Sequence, residues 1–206
     1  MFICRFWFLS RKNARIPAIK CMLYTRKGDD GTSKHLNTQE RLNKDSAVFE
    51  ALGTLDELNS YLGVCRQHCM HMPVRVSRRG KQVHDILREV QENLFIIQAE
   101  LAGADKKLHR KKITSMERII DTIEQQLPPI SSFFVPGESL EGAHLDVART
   151  LARRVERRVI AVETAGEITV PRNTRAYLNR LSSLLYALAR LQTQQSGTLE
   201  SAPMYR

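Results

Sequence analysis

Apolar residues recur along most of this chain at alternating steps of three and four. Val83, Leu87, Val90, Leu94, Ile97 and Leu101 advance in the rhythm of a seam down one side of an α-helix. Ala148, Ala152, Val155, Val159 and Val162 keep that rhythm, as do Thr174, Leu178, Leu181, Leu185 and Leu188. Val48, Leu52, Leu55, Leu58, Leu62 and Cys65 predict a first helix. Ile113, Met116, Ile120, Ile123 and Leu127 predict a shorter one, closed by Pro128 and Pro129, because a residue before proline is pushed out of the helical region. Breaks fall at "HMPVRVSRRG", "GADKKLHRKK", "LPPISSFFVPGES" and "TAGEITVPRN". No alternating strand pattern of useful length appears. The expected fold is all-α: a five-helix bundle behind an irregular N-terminal loop.

A chain of 206 residues, 42% hydrophobic, suits a single domain with a sizeable core. Residues 1–22 read as a basic extension, 23–195 as the bundle and 196–206 as a tail. No apolar run approaches the roughly 18 residues that a membrane helix requires, so a spanning segment is not expected. The formal charge of +10 is unevenly placed. Residues 1–28 hold Arg5, Arg11, Lys12, Arg15, Lys20, Arg26 and Lys27 without one carboxylate. That opening stretch has the character of an organelle presequence, or equally of a dispensable tail with Met22 as the start. The expected compartment is the cytoplasm, with the mitochondrial matrix as the alternative if residues 1–22 are an address. Cys4, Cys21, Cys65 and Cys69 are too few for a disulfide framework, and a reducing compartment is the default.

The second basic concentration lies on one predicted helix, "HLDVARTLARRVERRVIAV". At 100° per residue, Arg149, Arg153 and Glu156 run along one edge of its apolar face, with Arg157 further round. Arg154 and Arg158 lie towards the other side. A solvated face with i,i+4 ion pairs is the ordinary reading. Against it, Arg149 and Arg153 are like charges four apart, which oppose each other unless an anion lies between them, and arginine grips phosphate bidentately. The last helix carries Asn179, Ser183, Tyr186 and Arg190 as a polar stripe, and Asn179 can donate and accept at once. Gly53 and Gly63 weaken the first helix, so they are expected to mark the close approach of a backbone or ligand. Asp56 shares a face with Asn59 and is available to an arginine.

The segment "TRKGDDGTSK" has glycines, hydroxyls and bases suited to an anion, yet places Asp29 and Asp30 between its glycines. Those carboxylates can cap neighbouring N–H groups, or form an ordinary surface turn. Cys65, His68, Cys69 and His71 have metal-ligand chemistry, but Cys65 also completes the apolar seam, which favours packing over zinc. Glu141-x-x-His144 is half of a di-iron motif whose second half is missing from the chain. No Walker phosphate loop and no nucleophilic triad appear.

Five segments, "YTRKGDDGTS", "NKDSAVFEALGTLDELNSYLG", "FFVPGES", "ARTLARRVERRV" and "YLNRLSSLLYALAR", together resemble the trimeric ATP:cob(I)alamin (corrinoid) adenosyltransferases. That resemblance implies a five-helix bundle, a homotrimer with ATP between subunits, and transfer of the 5′-deoxyadenosyl group of ATP to the cobalt of a Co(I) corrinoid (cobalamin), releasing triphosphate. It implies ATP contacts from Thr25, Arg26, Lys27, Gly28, Asp29, Gly31, Ser33 and Lys34 in the loop, and from Lys44, Arg153, Arg154, Glu156, Arg157 and Asn179. Arg149, Arg153 and Asp56 would serve catalysis, with Asp56 pairing Arg149 across the interface. Phe133 and Phe134 would face the corrinoid. Mg²⁺ would arrive on the ATP phosphates, with no metal site of the protein's own. A corrinoid reductase and a cobalamin-dependent enzyme are the implied partners, with neither nucleic acid nor membrane. The chain departs from the family pattern at Glu138, where "PGG" is frequent, at Asp146, often His, and at Ser183, often Asp. The competing reading is a non-catalytic nucleotide- or nucleic-acid-binding bundle; the scarcity of aromatic residues disfavours its nucleic-acid form.

Overall fold

The computed structural model describes residues 24, 26–35 and 41–205, so the extension 1–22, with Cys4 and Cys21, and the expected ATP contact Thr25 lie outside the described residues. Five helices follow one another: α1 (Ala47–His71), α2 (Val83–Leu101), α3 (Arg110–Glu124), α4 (Leu140–Thr164) and α5 (Arg172–Gln195). Every seam residue predicted for α1, α2, α4 and α5 is buried. The predicted shorter helix, α3, stops at Glu124, so Leu127 lies just beyond it; Ile113, Met116 and Ile123 are buried while Ile120 and Leu127 are only partly so. The reason is position: α3 packs chiefly on α5 at the outside of the bundle, so one face narrower than its apolar stripe is covered.

Side-chain pairs fix how the helices run. Glu57–Arg154 and Glu50–Arg158 join α1 to an antiparallel α4. Ser139–Thr193 and Glu163–Arg175 join α4 to an antiparallel α5. Asn173–Leu108, just ahead of α3, and Arg180–Glu117 link α5 to a parallel α3. Because α5 touches neighbours on two sides, it buries Tyr177, Leu184 and Leu191 beyond its predicted seam. The Asn93 amide donates to the Tyr177 hydroxyl at 3.1 Å, giving that buried oxygen a partner.

The segment before α1 is not wholly irregular. Two three-residue strands, β1 (Thr32–Lys34) and β2 (Arg41–Asn43), pair antiparallel with Ser33 opposite Leu42. Three residues are too few to display an alternating pattern, which is why none was legible. No side chain of the chain's own N-cap Ser46 closes α1; instead Glu167, from the turn after α4, accepts the Ala47 and Val48 N–H groups at 3.1 and 2.9 Å. A carboxylate at that end also suits the helix dipole.

Gly53 has nothing within 4 Å of where a Cβ would stand, so no close approach occurs there within the protomer, and at Gly63 only Gln91 comes near, at an ordinary 3.6 Å. The close approach lies elsewhere. A Cβ on Gly142 would fall 2.5 Å from Thr193 Oγ1 and 3.3 Å from the Ala189 carbonyl, because the start of α4 rests directly on α5. Gly142→Ala should therefore lower stability by about 1–3 kcal/mol, the usual result of adding a methyl where there is no room. A denaturant midpoint that falls with an unchanged slope is the expected measurement.

Candidate functional site

Between the first half of α4, the second half of α5 and the loop joining α3 to α4 lies a cavity of about 620 Å³. The loop cannot be helical: Pro128, Pro129 and Pro136 punctuate it, and Gly137 takes a φ of 114°, which side chains disfavour. Ser139 then caps α4, accepting the Gly142 N–H at 3.1 Å. The loop thereby sets Phe133 and Phe134 on the cavity wall, with Phe133 80% exposed. Phe134 stacks beneath Arg190, whose guanidinium lies 5.0 Å from the ring centre.

Arg149 and Arg153 line the same cavity. The Arg149 Nε donates to Asp146 at 2.9 Å one turn earlier, and its guanidinium lies 5.8 Å from the Tyr186 ring centre. Burial pushes the Tyr186 hydroxyl above its usual range, so it stays protonated and neutral beside that cation. Asp56, the carboxylate expected for Arg149, is exposed on α1, and within the protomer Asp146 takes its place. The departure at Asp146 thus has a local partner.

Neighbours sort the remaining α4 arginines. Arg154 donates to Glu57 at 2.6 Å and Arg158 lies 3.2 Å from Glu50, both on α1. Arg153 and Arg157 enter no ion pair among the described residues, so two like charges four apart stay uncompensated on α4, with Arg153 in the cavity wall. Beside them Asn179 donates to Glu156 at 2.9 Å and accepts from Arg180 at 2.6 Å, bridging α4 and α5.

The glycine-bearing turn sits with the hairpin before α1 and does not line this cavity. Arg26 adopts a left-handed φ of 57° and Gly31 one of 77°, while the Gly31 N–H returns to the Gly28 carbonyl at 3.2 Å. Lys44 Nζ donates to that same carbonyl at 2.6 Å, and a Cβ on Gly28 would come within 3.0 Å of it. Asp30 accepts from the Thr32 N–H at 3.0 Å and its hydroxyl at 2.8 Å. That N–H bond, more than any other influence, holds the Asp30 carboxyl below its usual range. So one of the two unexpected carboxylates is a clasp that shapes the turn. Asp29 is exposed.

Sequence reasoning missed Arg41. Its Nε donates to Thr32 Oγ1 at 2.6 Å, and its Nη2 reaches the Thr32 carbonyl at 3.0 Å, the Lys27 carbonyl, and Asp30 at 3.4 Å. One guanidinium therefore ties both sides of the turn together. The only signal was a lone arginine opening the second strand, and its meaning depends on a pairing that spacing does not reveal.

The cysteine–histidine group resolves into packing. Burial raises the Cys65 and Cys69 thiols to about 12 and about 11, which keeps them protonated and poor metal ligands. His68 stacks on His144 with ring centres 4.3 Å apart, and His144 Nδ1 bonds the Tyr61 hydroxyl at 2.9 Å. Among the described residues no three His, Cys, Asp or Glu side chains converge as metal ligands.

The comparisons with known proteins agree with one another. The cobalamin adenosyltransferase family profile matches residues 23–192. A corrinoid adenosyltransferase of Citrobacter freundii is 40% identical over 177 residues, covering 82% of this chain and 94% of that protein. The corrinoid adenosyltransferase MMAB of Homo sapiens is 34% identical over 205 residues, 95% of this chain and 76% of its own length. Among solved structures, a single-residue variant of the PduO-type ATP:corrinoid adenosyltransferase from Lactobacillus reuteri, complexed with cobalamin and ATP, superposes with a TM-score of 0.77. It is 25% identical, and the match covers 89% of this chain and all of that one. With a match running from the glycine turn through α5, and the same bundle recovered in three dimensions, the chain belongs to the cobalamin adenosyltransferase family.

Proposed function

We infer that this protein transfers the 5′-deoxyadenosyl group of ATP to the cobalt of a reduced Co(I) corrinoid, releasing triphosphate and forming adenosylcobalamin. The observation that carries the assignment of residues is a single cavity walled by Phe133 and Phe134 on one side and by Arg149 and Arg153 on the other. An apolar face suits a corrin ring, and fixed cations suit the phosphates of ATP.

In the proposed reaction the Co(I) electron pair attacks C5′, a cobalt–carbon bond forms, and the C5′–O bond breaks with its electrons leaving on triphosphate. Reduced cobalt is already a strong nucleophile, so the chain supplies no base. What it supplies is alignment and a preformed field for the departing charge. Arg153 and Arg157, uncompensated, are the proposed triphosphate contacts on α4, with Arg149 beside them. Arg154 joins them by exchanging Glu57 for phosphate, since an exposed pair of that kind is worth about 1 kcal/mol or less. Glu156 and Asn179, bonded to each other, are the proposed contacts to the nucleoside. The turn from Thr25 to Lys34, through Arg26, Lys27, Gly28, Gly31, Ser33 and Lys34, would wrap the phosphates together with Lys44. Magnesium enters as part of the ATP substrate. Asp29 is the carboxylate available to its waters, because Asp30 is occupied by Thr32 and Arg41. Phe133 is the proposed wedge against the lower face of the corrinoid.

A homotrimer with sites between subunits is proposed on two grounds. The glycine turn and the Arg149–Arg153 cavity do not share a pocket in one protomer, so a neighbour's turn is needed to complete the site. Gly53 and Asp56 form an open, exposed patch on α1 for that neighbour, where Asp56 would meet Arg149. No described helix is long and apolar enough to cross a membrane. The cytoplasm is the proposed compartment, with the mitochondrial matrix as the alternative, and a corrinoid reductase and a cobalamin-dependent enzyme are the proposed partners.

Four outcomes test this reading. Mixed anaerobically with ATP, Mg²⁺ and chemically reduced cobalamin, the protein should generate the cobalt–carbon chromophore. Arg153→Ala should lose about 10²–10³-fold in kcat, the usual effect of removing one group that stabilises developing charge. An indifferent variant would misplace the triphosphate. Arg41→Ala should raise KM for ATP about tenfold while leaving that for corrinoid in place, and Arg41→Lys should not restore it, because an ammonium lacks the planar fork. Light scattering should return three times the 23.6 kDa protomer mass, and Asp56→Arg should reduce it.

A further inference from the structure

Beyond α5, Glu200 of the C-terminal tail stands in the wall of the cavity. Gly197 takes a φ of 77°, the left-handed turn that ends helices, and it sends the chain back along α5. Ten residues after Arg190, Glu200 meets it: Nη2 to Oε2 is 2.7 Å and Nε to Oε1 is 2.8 Å, a two-pronged pair. The Arg190 side chain is only 6% exposed and that of Glu200 19%. A charge so enclosed is tolerated only with its partner in place.

Arg190 has two further contacts, and both lie on the loop that carries the aromatic pair. It donates to the Pro128 carbonyl at 3.1 Å and covers the Phe134 ring. The tail reaches the other half of the same loop. The Val135 N–H donates to the Ser201 carbonyl at 2.8 Å, and the Ser201 hydroxyl donates to Glu138. Glu138 is the position where the family pattern often has glycine, so the departure has a physical role here: it is the anchor for the tail. Residues 128, 134, 135 and 138 are thereby held, and Phe133 stands between them with its backbone restrained and its ring free.

We propose that the segment Gly197–Ser201, latched by Arg190 and Glu200, is a positioning element for the corrinoid: it sets the loop so that Phe133 is held at the cavity mouth. This rests on the assignment of the cavity to the corrinoid. Arg190 and Glu200 act through the loop, not on the reacting atoms. Their loss should therefore weaken the corrinoid side and spare ATP.

The test uses the full chain with Glu200→Gln, which keeps shape and removes charge, and Glu138→Gly, which removes the carboxylate that accepts from Ser201. Glu200→Gln should raise KM for cob(I)alamin about tenfold, the size of one lost charge-assisted hydrogen bond, with KM for ATP within about twofold. With Co(II)cobalamin and MgATP bound, the fraction of four-coordinate cobalt, read from its absorption and electron paramagnetic resonance, should fall. Glu138→Gly should move both readouts the same way by a smaller factor, and Glu200→Asp should recover part of the loss. Unchanged corrinoid KM and cobalt spectra in Glu138→Gly and Glu200→Gln would overturn the proposal, as would equal rises in both KM values. Absence of any cobalt–carbon product from the unaltered protein would instead overturn the reaction assignment on which it rests.

Discussion

At Gly142 the backbone of α4 comes so near α5 that one added methyl would press on Thr193 and on the Ala189 carbonyl. From that contact the two helices stay in step down to Glu163 and Arg175. The faces they hide carry small residues on α4, Ala148, Ala152 and Val155, and leucines on α5, and each helix turns a neighbouring edge outward. That edge is where the cavity opens. The first half of α4 brings Arg149 and Arg153 to it, the second half of α5 brings Tyr186 and Arg190, and the loop that Ser139 ends brings the two phenylalanines. Were α4 held further from α5, these groups would share no wall.

Charge is distributed by the same geometry. Five arginines within ten residues of α4 would repel one another on an isolated helix. Packing divides them: α1 supplies Glu57 and Glu50 to Arg154 and Arg158, Asp146 takes Arg149, and Arg153 with Arg157 finds no counter-charge among the described residues. In the glycine turn, Asp30 and Arg41 are spent on its own shape. Arg153 and Arg157 thereby keep an excess of positive charge on α4, where the proposed triphosphate departs.

The departures from the family pattern also acquire local explanations. Asp146 partners Arg149, and Glu138 receives Ser201 from the C-terminal segment. Ser183 lines the cavity, and nothing in the structure explains its replacement of an aspartate. Two of the three thus change how the cavity wall is braced while leaving its arginines in place.

Helix identity and the buried face of each helix were readable from spacing alone, because 3.6 residues per turn makes burial a local periodic property. Val83 to Leu101 and Ala148 to Val162 are buried as their rhythm implies, and the family motifs lie where the helices and the loop place them. Other features needed the fold. Which α4 arginine would find a carboxylate depends on which helix lies opposite and in which direction it runs. The hairpin, the Arg41 clasp, the Gly142 contact and the return of Glu200 to Arg190 each join residues whose separation carries no periodic signal. A sequence determines which faces must be hidden; only tertiary packing decides which polar groups meet when they are, since that choice is made by neighbours distant along the chain.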